Sequence, residues 1–162
     1  MDLITIFQKL EETPLALAIK EGDNSFPWIE SVHVLAIVLV VGTIAIVDLR
    51  LIGYASHRRG ARQLIVELLP YTWAAFLLAA VTGSLLFISN AVKYSENPIF
   101  LVKMGLLVAA GVNMAIFHMG AYRKIADWND ALPPPASARF AGASSLALWI
   151  AVVICGRWIG FI

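Results

Sequence analysis

From Leu68 to Ile88 the chain carries no charged residue, and that run constrains the fold more than any other feature. About 20 mostly apolar residues cross roughly 30 Å of hydrocarbon as a helix, whereas a core strand needs far fewer. The run does not stand alone. Met104–Tyr122 is interrupted only by Asn113 and His118, and Ile99–Val102 extend it backwards. Phe140–Gly156 forms a third run, and Val34–Val47 becomes a fourth once its flanks are included. Composition agrees, with 60% hydrophobic and only 14% charged residues in 162. A soluble domain carries about 25% charge, so an ordinary soluble enzyme is disfavoured. Scattered charges with a net of +1 offer no basic face for nucleic acid. A single cysteine, Cys155, excludes a disulfide framework and an all-cysteine metal site.

The expected fold is therefore all-α: a transmembrane up-down-up-down four-helix bundle, with helices at 28–54, 68–91, 99–122 and 140–160. Residues 27–162 make up this transmembrane domain. The links are a basic segment at 57–62, a tight turn at 94–98 and a Pro-rich loop at 127–137. Arg50, Arg58, Arg59, Arg62, Arg123, Lys124 and Arg139 gather at the end bearing the first and third links. That end is expected to be cytoplasmic in a bacterial inner membrane, which puts both termini on the periplasmic side. Residues 1–26 lack the basic start and apolar stretch of a signal peptide. Leu3, Ile6, Phe7 and Leu10 recur at helical spacing, so the segment is expected to be a short interfacial helix, with a cap over the bundle mouth as the sharper alternative.

Ionisable side chains at membrane depth are costly, and the few present are the informative ones. Helix direction sorts them by depth. Glu30, His33, Lys103 and Arg157 fall near the outer ends of their helices. Asp48, Arg50, Asn113 and His118 form a second polar layer nearer the cytoplasm. Asp48 follows His33 by the same interval at which His118 follows Lys103. That interval spans about 22 Å of helix and returns the side chain to within roughly 60° of the same face.

This arrangement suits haem b carried by His33. Glu30 would orient the imidazole, and Lys103 or Arg157 would serve as second ligand or propionate partner. His33 and His118 sit too far apart in depth to share one iron. Copper is the alternative, since His33, His118, Met104, Met114 and Met119 are suitable ligand types. The plainer readings are snorkelling for Glu30, Lys103 and Arg157, pairing of Asp48 and Arg50 with Arg123 or Lys124, and an imidazole–carbonyl bond for His118. The haem reading implies electron transfer, or oxidation of a lipophilic reductant such as a quinol or porphyrinogen. A non-catalytic membrane subunit or copper-handling protein is the other class. Partners expected on this basis are the lipid bilayer, a quinone or porphyrin, and a second copy of the chain or a larger membrane complex, with no nucleic acid. Gly142, Ser144, Ser145, and Gly105 with Ala109 read as close-packing positions.

Glu30-Ser-Val-His33, Val47-Asp48-Leu49-Arg50-Leu51, Leu68-Leu69-Pro70, Asn97-Pro98-Ile-Phe100-Leu-Val-Lys103-Met and Phe117-His118 resemble a family of small uncharacterised bacterial four-span membrane proteins. A more distant likeness is to HemJ-type protoporphyrinogen oxidases and to the membrane domain of CopD-type copper proteins. The HemJ-type resemblance implies a four-span bundle binding haem b, dependent on a first-helix His and a third-helix Lys, places filled here by His33 and Lys103. That pattern also has an Arg-x-Phe-Asn-Glu-x-Pro stretch entering its last helix. This chain has only Arg139-Phe140 followed by Ala-Gly-Ala-Ser-Ser.

Overall fold

A computed structural model describes residues 3–55 and 58–161. Four long helices, each apolar and long enough to cross a membrane, dominate it. They are α3 (Ser25–Ile52), α4 (Ala61–Ser89), α6 (Pro98–Met119) and α8 (Ala136–Trp158). Short helices α1 (Leu3–Glu11), α2 (Pro14–Glu21), α5 (Ala91–Glu96) and α7 (Ile125–Trp128) lie at their ends, and no strand occurs among the described residues. Helices are the natural solution in hydrocarbon, because each satisfies its own backbone hydrogen bonds. Successive long helices alternate in direction. The loop end of the bundle thus carries the α3–α4 and α6–α8 connections, and the opposite, terminal end carries α1, α2 and the last turn of α8.

α3 and α8 begin a few residues earlier than expected, at Ser25 and Ala136, and two further boundaries differ for a local reason. α4 begins at Ala61 rather than Leu68 and runs on through Pro70. Arg62, Gln63 and Glu67 look like a polar link in sequence, but Ala61, Leu64 and Ile65 of the same turns are buried. The expected turn at 94–98 is mostly the helix α5, with Asn97 turning the chain. Asn97 accepts from the amides of Ile99 and Phe100 and caps α6, and Pro98 occupies its first turn.

Close approach of α3 and α8 forms the spine. A Cβ on Gly142 would stand 2.9 Å from the Leu51 Cβ and 3.0 Å from the Asp48 carbonyl oxygen, so only glycine lets these helices meet. Gly105 behaves otherwise: nothing lies within 4 Å of where its Cβ would be, so it serves no helix contact inside the chain. α4 packs along α3, and α6 along α8. The backbones of α4 and α6 scarcely approach each other, which leaves the fourth side of the bundle open along its middle.

Both ends of this open side are closed. At the terminal end, Phe87 of α4 and Phe100 of α6 stack with centroids 5.5 Å apart, and Tyr94 of α5 stacks 5.6 Å from Phe100. The N-terminal segment packs against this corner. Phe7 meets Phe87 edge-on, and Glu11 accepts the amide of Val92 at the start of α5. Leu3, Ile4, Leu15 and Leu17 still point outward, as an interfacial segment requires.

At the loop end, Arg50 is almost wholly buried, 1% exposed. It donates from Nε to the Arg59 carbonyl and from an Nη to the Asn129 carbonyl, each at 3.0 Å. Asn129 also caps α4 from across the molecule: its carbonyl accepts the Ala61 amide and its Oδ1 accepts the Arg62 amide at 2.8 Å. Gly60 allows this approach, since a Cβ there would lie 2.5 Å from the Asn129 side chain. Asn129→Ala is expected to remove about 1 kcal/mol, the usual worth of such a cap. Gly60→Ala should act through the same bond, so the double variant lowers the thermal midpoint in detergent by less than the sum of the two single changes.

Candidate functional site

The second polar layer opens onto a cavity. About 180 Å³ of space lies between the four long helices, in the half of the bundle nearer the loop end. Asp48 of α3, Thr72 of α4, Asn113 and His118 of α6, and Ser145 of α8 supply its polar groups. The rest of the wall is apolar, with Trp73, Phe76, Phe117 and Trp149 among it. The space lies along the open side between α4 and α6. Trp73 and Phe76 remain 50% and 40% exposed, so the cavity communicates with the surrounding lipid. Gly111 lines it, with nothing within 4 Å of its Cβ position.

The polar groups differ in how they are satisfied. Asn113 donates to the Ala141 carbonyl at 3.0 Å and ties α6 to α8. The His118 Nδ1 lies 2.9 Å from the Met114 carbonyl, the intrahelical imidazole–carbonyl bond, and its ring sits 5.0 Å from that of Tyr122. Thr72 donates to Thr43 and links α4 to α3. Asp48 stands apart. Only 4% exposed, it has the Ser145 hydroxyl near its carboxylate, while its Oδ2 has no hydrogen-bond partner. Arg50, two residues further on, turns away from it into the loop-end contacts and pairs with neither Asp48 nor the cavity. The sequence layer of four thus divides. Asp48, Asn113 and His118 share the cavity, and Arg50 belongs to the fold. Among the described residues Asp48 forms no ion pair with Arg123 or Lys124, and Arg50, a cation like them, is paired with neither.

The outer layer is arranged differently from expectation. The His33 Nδ1 lies 2.9 Å from the Thr82 Oγ1. That hydroxyl is also 2.7 Å from the Leu78 carbonyl, and the Ala79 carbonyl hydrogen-bonds the imidazole as well. Thr82, not Glu30, orients this ring. The imidazole also lies against the α4 backbone, where a Cβ on Gly83 would approach its Cε1 to 2.9 Å. Thr82 and Gly83 escape sequence reasoning because a lone Thr and Gly in an apolar helix look like ordinary membrane residues.

Lys103 is close enough to His33 to act on it electrostatically, and its ammonium lies 3.7 Å from a Cβ built on Gly156. Glu30 is exposed and acts on Tyr94, whose phenol is held above its ordinary range by burial and then by this carboxylate. Arg157 is exposed, stacked over the Phe161 ring at 4.7 Å. Of the four outer residues, the structure therefore couples His33 with Lys103 and directs Glu30 and Arg157 to other partners. Among the described residues no three His, Cys, Asp or Glu side chains gather as a metal site, and Met104 and Met119 point outward. His57 of the basic link, the weak second-ligand candidate for a haem carried by His118, lies outside the described residues.

Gly83→Ala is expected to displace the imidazole and break its bond to Thr82. In the NMR spectrum of micelle-bound protein, one of the three histidine ring resonances should move while the other two stay in place. Thr82→Val should move the same resonance.

No curated protein and no solved structure matches the chain. Over residues 22–162, which take in all four long helices, it matches a family profile, and the chain belongs to that family, DUF6644, a family of unknown function.

Proposed function

We propose that this protein takes a small lipophilic molecule from the bilayer into the cleft between α4 and α6. The observation that carries this reading is the 180 Å³ cavity, apolar over most of its wall and bordered by polar side chains from all four helices. Binding sites of this kind are concave and mostly apolar, with a few polar groups that fix orientation, and they occur between the helices of bundles. A cavity of about 150 Å³ lined by apolar side chains admits a benzene ring, which sets the scale of the guest. Lateral opening suits a ligand already dissolved in lipid. A quinone headgroup or another single-ring lipophile falls in this class. With the arginine-rich loop end taken as cytoplasmic, in a bacterial inner membrane, the cavity lies in the inner-leaflet half.

Titration of neopentylbenzene into protein held in lipid nanodiscs, with empty nanodiscs as reference, tests this reading. Saturable binding is expected. Gly111→Phe, whose Cβ meets nothing within 4 Å, should abolish it by filling the cleft while leaving the thermal midpoint unchanged or higher. Binding that persists in Gly111→Phe would remove the cleft from consideration.

A second reading rests on a separate observation, the Thr82 hydroxyl 2.9 Å from His33 Nδ1, which fixes the ring on α4 and would leave Nε2 as the ligating nitrogen. A haem b would use His33 as axial ligand, with Lys103 as second ligand or propionate partner, and would supply one-electron exchange with a quinol or a similar reductant. The expected sign is a Soret band in protein purified after expression with ample haem. The band should be lost in His33→Ala and displaced in Thr82→Val. A colourless preparation under those conditions would exclude this reading.

A further inference from the structure

The carboxylate of Asp48 is the group on this cavity that nothing else in the protein explains. It sits within a membrane span, is 4% exposed, and keeps one oxygen without a partner. Ser145 is the side chain that approaches it, and no lysine or arginine contributes to the cavity wall. His118 is the other titratable residue there, and its Nδ1 is engaged by the Met114 carbonyl. Arg50, the nearest cation in sequence, gives Nε to Arg59 and Nη2 to Asn129 and keeps its Nη1 without a partner, but it forms no ion pair with Asp48 among the described residues. A buried acid with no cation and an incomplete set of hydrogen bonds is expensive. Inside a membrane such a group marks a site of function.

The remainder of the wall supplies what a cation needs. Trp73 and Phe76 from α4, Phe117 from α6 and Trp149 from α8 border the same space as Asp48. An organic cation among aromatic faces is attracted by the ring quadrupoles, and the attraction grows when water is excluded. A carboxylate held in low dielectric beside those rings adds the charge that the rings lack. A neutral guest would use the rings but leave Asp48 unpaired.

Resting on the reading of the cleft given above, we infer that the ligand is a small lipophilic organic cation, an aromatic or alkylated ammonium, with Asp48 as its counter-ion and the surrounding aromatic side chains as its cage. The ammonium head lies toward α3 and α8, where Asp48 and Ser145 meet. The apolar body lies toward α4 and α6 and reaches the lipid through the open side.

An isosteric pair of probes separates charge from shape. Benzyltrimethylammonium and neopentylbenzene differ only in a quaternary nitrogen replacing a carbon. In nanodiscs the wild type is expected to bind both. Asp48→Asn should weaken the cation by about tenfold or more while changing the neutral probe by less than about twofold. Equal effects on both probes, or none on either, would overturn the assignment of Asp48. If the wild type binds neopentylbenzene but not the cation, the cleft reading stands and the cation inference falls. If it binds neither, both fall. Should Asp48→Asn fail to fold, Asp48→Glu decides: retention of cation binding supports the counter-ion role, and its loss with the neutral probe still bound refutes it.

Discussion

The structure depends on one close approach. Gly142 lets α8 settle against α3 at Leu51 and Asp48, and this contact makes α3 and α8 the spine of the molecule. α4 takes the free flank of α3, and α6 takes the free flank of α8. Each outer helix is then spoken for, and the backbones of α4 and α6 do not complete the ring. The cavity is the space that remains. Its polar groups come from all four helices and its aromatic groups mostly from the two that flank the spine. The site is in this sense a product of the packing order, and a larger residue at position 142 would alter it without touching any of its lining side chains.

The fold class was legible because it rests on hydropathy over long windows. Leu68–Ile88 and its counterparts would read as spans in any arrangement of the bundle. Depth was legible too, since helix rise alone separates His33 from Asp48 and Lys103 from His118. What depth could not supply was azimuth. Asp48 and Arg50 share a layer, yet one faces the cavity and the other faces the loops. Glu30 and His33 are spaced to share a helix face, yet the partner of His33 is Thr82 on the next helix. Such outcomes are set by which flank of each helix is packed, and one chain's apolar pattern, nearly uniform around a membrane helix, carries little of that information.

Asn129 shows the same limit at the loop end. In sequence it is one polar residue in a short loop. In the structure it receives α4 amides and the Arg50 guanidinium together, and so joins three segments distant along the chain. The charge count behind the expected orientation therefore includes one arginine whose role is to organise the backbone. The exposed Arg58, Arg59 and Arg62 are better guides to the membrane face.

α4 is fastened at both extremities, by Asn129 at its first turn and by the Phe87 ring stack near its last. Pro70 lies between these anchors, beside the cavity-lining Leu69, Thr72 and Trp73, and denies the Val66 carbonyl its usual amide donor. A rod pinned at two points cannot swing aside; it can only bow. Any change in the width of the open side between α4 and α6 is therefore a flexure of α4 about its proline, like a bowstring drawn at the middle.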